Sequence, residues 1–147
     1  MKHIFTVLML SIFAMGQVTL SPPRAQYGKK AKGEFTLTNE SFQPLSISLE
    51  AMSAAVKDGD FTVSPMGSDQ HLKLSEYSAK IGAKQTHTFA YDLRCNTLPC
   101  AAVIFSSVAV GHTDNGMGIN GRVGHVIYVC QKEKNCREEF LKSLKEK

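Results

Sequence analysis

No stretch of this chain reaches the roughly 20 consecutive apolar residues that a membrane-spanning helix needs, so no integral membrane segment is expected. Charge of one sign is also lacking: 17 Lys and Arg stand against 13 Asp and Glu, a formal net charge of +4 at pH 7. Much of that small excess sits after Cys130, where six Lys or Arg meet four Glu. The body of the chain is close to neutral, which argues against a nucleic-acid partner, because phosphate binding wants a basic face. Cysteine is scarce, four in 147 residues, and no two are spaced Cys-x-x-Cys. Structural zinc sites and thiol–disulfide catalysis usually use that spacing, so neither is expected. No Gly-x-Ser-x-Gly elbow or other spaced motif places a nucleophile. The expectation is a protein that is not an enzyme and carries no cofactor. There is no internal repeat and no low-complexity tract.

What the chain does have begins at its start. Residues 1–16 read as an export signal: Lys2 supplies the positive start, residues 4–13 are apolar apart from Thr6 and Ser11, and Ala14-Met-Gly16 offers small residues for a signal peptidase. Cleavage before Gln17 leaves 131 residues, with no Cys directly at the cut to carry a lipid anchor. That is the size of one domain by the usual prior of ~100–200 residues. The expected mature product is a soluble protein with one domain over residues 17–130 and a basic tail over 131–147. All four Cys then lie in an oxidising compartment, and an even count reads as two disulfides. Of three possible pairings the local ones are favoured, Cys95 with Cys100 and Cys130 with Cys136.

The dominant period is two. Phe35 and Leu37 alternate with Glu34, Thr36 and Thr38; Leu45, Ile47 and Leu49 alternate with Ser46, Ser48 and Glu50. Residues 53–60 read as a loop before a short strand at 61–63. Leu72 and Leu74 open a strand that continues in shifted phase through Tyr77, Ala79 and Ile81 after a kink near Ser75. His87, Phe89, Tyr91, Leu93 and Cys95 share one face of the clearest strand. Residues 101–110 and 123–130 are nearly continuous apolar runs, as expected for strands covered on both faces. Residues 111–121 between them carry two Asn-Gly turn dipeptides and read as a hairpin loop. About seven short strands with no intervening helix indicate an all-β fold, an antiparallel β-sandwich of immunoglobulin type. The tail changes period: Asn135 can cap a short C-terminal α-helix on which Cys136, Phe140, Leu141 and Leu144 form one stripe. That stripe either packs on the sandwich or meets a partner.

Gly116-Met-Gly118-Ile-Asn-Gly121 spells the dinucleotide fingerprint, but that motif works at a helix N-terminus and here a strand follows. Met117 and Ile119 within it either anchor a partner or fill a gap at the end of the sandwich. His112-Thr-Asp114 is the nearest approach to a metal half-site, and a loop His beside an Asp is more often solvated. No metal site is therefore expected. His87, on an apolar strand face, reads as a core histidine.

Val18-Thr-Leu20-Ser-Pro-Pro-Arg24-Ala-Gln-Tyr27, followed by Gly33-Glu-Phe35-Thr-Leu37-Thr-Asn39, resembles the start of the N-terminal immunoglobulin-like domain of periplasmic pilus-assembly chaperones. Further similarity lies in the stretch from Leu72-Lys-Leu74 to Ile81-Gly82 and in the last strand, Gly124-His-Val-Ile-Tyr-Val129. The resemblance covers most of residues 18–130 and implies a periplasmic protein that binds a protein partner by β-strand addition. In that family an Arg at the end of the first strand and a Lys on the last strand grip the partner's C-terminal carboxylate. Arg24 matches the Arg, whereas the Lys position holds His125. Ile119, Val123, His125, Ile127 and Val129 share one parity, and either form the row offered to the partner or fill the domain's own core. Those chaperones have two domains and this chain has one. The second reading is a structural or adhesive cell-envelope component, pilus-subunit-like, on the same fold.

Overall fold

The computed structural model describes residues 18–57, 60–113 and 116–132, together with 136, 138 and 142. The expected export signal and the tail residues Asn135, Phe140, Leu141 and Leu144 lie outside the described residues. Ten β segments form two layers: β1 (Val18–Ser21), β2 (Arg24–Gly28), β3 (Ala31–Asn39), β4 (Leu45–Lys57), β5 (Asp60–Pro65), β6 (Gln70–Leu74), β7 (Ser78–Ile81), β8 (Thr86–Cys95), β9 (Cys100–Thr113) and β10 (Gly116–Cys130). One sheet runs β1-β3-β8-β6 and the other β2-β10-β9-β4-β5, with β7 also pairing to β4. This is the expected immunoglobulin-like sandwich. Every strand pair is antiparallel except β2 with β10.

Two of the expected strands each break and change sheet, which raises the number of segments above the expected seven or so. The first turns at the cis Ser21-Pro22 bond, so that β1 joins β3 and β2 joins β10. The second breaks at Ser75, where β6 leaves β8 and the chain crosses to place β7 on β4. Two loops expected from the sequence are strands instead. β4 runs on to Lys57 and pairs with β5, and β9 and β10 extend to Thr113 and from Gly116. Turn dipeptides therefore overstated the length of both reversals. In the second, Gly121, at φ 146°, takes up an irregularity between Ile119 and Arg122 where only glycine sits without steric cost.

Period-two alternation puts Phe35, Leu37, Phe89, Leu93, Ile104 and Ile127 inside, each at most 1% exposed. Phe35 stacks on Phe89 at 5.3 Å between centroids. Burial of such side chains stabilises by about 1.5–3 kcal/mol each. At one end, buried Asn39 donates through Nδ2 to the carbonyls of Gln43 and Ile81 at 2.7 and 3.1 Å, and accepts from Ser41 N–H at 2.9 Å. It thereby fastens the β3–β4 turn to β7. Cys95 is bonded to Cys100, bridging β8 to β9, and Cys130 to Cys136. In the tail, Cys136, Glu138 and Lys142 have helical backbone.

Candidate functional site

β10 is covered on one side by β9 over nearly its whole length. On its other side β2 covers only Val126 to Cys130, and Pro23 O accepts the Val126 N–H at 3.0 Å as the last bond of that ladder. Upstream, residues 121–125 meet no other described strand on that side. Since Val126 aims its N–H outward, two-residue alternation aims the N–H and C=O of Gly124 and Arg122 the same way, while Val123 and His125 bond to β9. The result is a short open strand edge that ends where the first strand arrives.

The place where cover gives way to open edge is fixed by a buried hydrogen-bond chain. His125 Nδ1 lies 2.6 Å from Pro22 O and Nε2 lies 3.1 Å from Tyr91 Oη, which is 2.7 Å from Tyr27 Oη. A carbonyl only accepts, so Nδ1 carries the proton; Nε2 then accepts from Tyr91, and Tyr91 accepts from Tyr27. Desolvation by burial pulls the His125 pKa below its ordinary value, against a smaller opposite effect of the Pro22 bond. Burial, with Tyr27 alongside, pushes Tyr91 far above its own ordinary value. Both groups are neutral, and the chain is held by hydrogen bonds alone. Gly33 leaves the room it needs, since a Cβ there would meet Tyr27 Oη at 2.0 Å and Tyr91 Oη at 2.9 Å.

The sequence-derived site residues separate into three groups. Arg24 is exposed at the start of β2, in register with Val126, and has no ion-pair partner among the described residues. His125 and Ile127 are fully buried in the core, and Val123 packs half-buried against it. His125 therefore does not stand beside Arg24 as a second cation: the two lie on opposite faces of their sheet. Of the two readings of the shared-parity row, the geometry gives core filling for His125, Ile127 and Val129. Met117 and Ile119 are on β10, with side chains outside the description. Ile119 pairs with Ala109 and Arg122 with Ser107, so three steps along β10 meet two along β9 and the ladder is irregular between them. His87 is a rim residue rather than a core one, 2.5 Å from Glu76 Oε1; the core histidine is His125. Asp114 of the possible metal half-site lies outside the described residues.

One residue escaped the sequence reading. Arg122 stands on the open edge, its Nη2 2.5 Å from Glu50 Oε2 and its guanidinium 3.9 Å from the centre of the Phe105 ring. Its even phase with Val126 was the available signal, hidden by placing residues 111–121 in a loop. Val18 and Leu20 on β1, together with Val123, pack half-buried against the core. An added strand beside β10 would meet outward backbone groups, an apolar seam at Leu20 and Val123, and the guanidinium groups of Arg24 and Arg122.

No family model matches the chain, and no curated protein matches it in sequence. Solved structures do match in fold. The class 5 fimbriae chaperone CfaA is 8% identical with a TM-score of 0.59, over 78% of this chain and 57% of that one. A chain of the CsuC–CsuE chaperone–tip adhesion subunit pre-assembly complex, from the archaic chaperone-usher Csu pili of Acinetobacter baumannii, is 12% identical with a TM-score of 0.56, over 85% and 65%. WR4, an MSP family member of C. elegans, is 14% identical with a TM-score of 0.54, over 78% and 98%. The chain thus spans about three fifths of the two fimbrial structures and nearly all of WR4. Among the described residues no helix is long and apolar enough to cross a membrane. At these identities the likeness is one of fold: an immunoglobulin-like sandwich of the kind found in fimbrial chaperones and MSP proteins.

Proposed function

We propose that this is an exported, periplasmic, non-enzymatic protein of chaperone type that binds a protein partner by β-strand addition, as in pilus assembly. The observation that carries this reading is the open edge of β10 at residues 121–125, bounded by Arg24. An extended segment laid there gains main-chain hydrogen bonds from Arg122 and Gly124 and buries alternate side chains against Leu20 and Val123. Arg24 supplies a fixed cation for a terminal carboxylate, while Arg122 stays paired with Glu50 and contributes its backbone. Neutral His125 acts indirectly, by holding Pro22 and so setting where the edge begins. The fold shared with fimbrial chaperones and the export signal read from the sequence support the same reading.

The test separates backbone from side chain. Arg122→Ala keeps the outward N–H and Arg122→Pro removes it, so capture of the partner from a periplasmic extract should persist in the first and be lost in the second. A photo-crosslinking residue at position 122 should label that partner, and one at Ser48, inside the sheet on β4, should not. Equal capture by the Ala and Pro variants rejects strand addition and leaves the structural or adhesive envelope reading. That alternative is the weaker because a pilus-type subunit lacks its last strand, whereas β10 here is present and fills its own core.

A further inference from the structure

One part of the outer face of the six-stranded sheet is apolar, around Ala54, Ala101 and Val103, while Ser46, Ser48 and Glu50 elsewhere on β4 are exposed. The outer face of a two-layer sandwich ordinarily meets water, so alternate residues of its strands should be polar. On β9 they are not: Ala101 is 0% and Val103 2% exposed, and Ala54 on β4 is 4% exposed. These three form a cluster separate from the core, flanked by half-buried Phe105, Val126 and Tyr128. In-sheet neighbours stand beside a residue and do not roof it. Burial this complete calls for another layer over the outer face.

One segment of the chain starts there. Cys130 shares the face of Val126 and Tyr128 by alternation, and both it and its disulfide partner Cys136 are 0% exposed. Cys136 Sγ lies 3.9 Å from the Tyr27 carbonyl oxygen on β2. Of the helical tail residues, Cys136 is buried while Glu138 and Lys142 are exposed. At about 100° per residue, a helix continued from Cys136 places the Phe140, Leu144 and Leu141 positions at about 40°, 80° and 140° to one side of it, and Glu138 and Lys142 at about 160° and 120° to the other. Leu144 lies about 12 Å along the axis from Cys136. Crossing from β10 over β9 to β4 takes about 10 Å. Phase and reach both match the cluster.

We propose that the outer face of the six-stranded sheet is the docking site of the chain's own C-terminal segment, with Phe140, Leu141 and Leu144 seated on Ala54, Ala101 and Val103 and the Cys130–Cys136 bond as its tether. The test is a double-mutant cycle on the full chain with both disulfides intact, read by urea denaturation. Val103→Ala and Leu144→Ala should each lower the folding constant about tenfold or more, and the double variant should fall well short of the product of the two. Leu144→Ala combined with Leu45→Ala, in the inner core, should multiply. Should Val103→Ala fail to fold, Val126→Ala on the rim of the same face takes its place. Sedimentation should show a monomer. Multiplicative behaviour of the Val103 and Leu144 pair overturns the proposal. So does a dimer that Val103→Ala dissociates, which would put a second copy on this face.

Discussion

The carbonyl of Pro22 fixes the direction of every proton in the buried chain that runs through His125 and Tyr91 to Tyr27. Tyr91→Phe removes the middle link and leaves Nε2 of His125 without a donor inside the core. It should lower stability by about 1–3 kcal/mol in urea denaturation. His125 also makes a pH prediction. Because its folded pKa lies below the ordinary value of about 6.5, the unfolded chain takes up the proton first as pH falls. The stability it contributes is present above about pH 6.5 and drains away as pH falls toward the folded value. Denaturation midpoints at descending pH should show that decline, and His125→Phe should show less of it. Gly33→Ala tests the same spot sterically. Its Cβ would collide with Tyr27 Oη at 2.0 Å, and the displaced hydroxyl should cost about 1–3 kcal/mol.

At the scale of elements, the Cys95–Cys100 bond closes only a short loop between β8 and β9. Replacing both residues by Ser should cost about 2 kcal/mol by the loop-entropy estimate, and the sandwich should still fold, as circular dichroism would show. Strands with clean alternation were legible in the sequence. β8 and the first half of β4 follow the expected faces residue by residue, since one side of each meets the core. What was not legible depended on contacts distant in sequence. The sheet changes at Pro22 and Ser75 leave the local strand pattern nearly intact and are fixed only by which neighbour each half finds. The irregularity at Gly121 inserts one extra residue into β10 between Ile119 and Arg122, which no local strand pattern announces. Arg24 was found by resemblance, whereas Arg122 was missed because the expected last strand starts at Val123, one residue too late to include it.

For the whole molecule, Arg24→Ala separates binding from folding. As an exposed side chain without an ion pair among the described residues it should change stability by less than about 0.5 kcal/mol. If it grips a carboxylate, capture of the partner should weaken by roughly tenfold or more, measured as retention from a periplasmic extract. The pairing that ends at Arg24 has a mechanical consequence as well. β2 lies near the start of the sandwich and β10 at its end, yet they run parallel and side by side over five residue pairs, from Arg24 with Val126 to Gly28 with Cys130. Tension applied to the two ends of the domain, as when a bound segment is dragged away from an anchored neighbour, loads those rungs together in shear instead of peeling them one at a time. β1, whose strand partner among the described residues is β3 alone, would detach first, and the sandwich behind it would resist until the whole β2 ladder gave way at once.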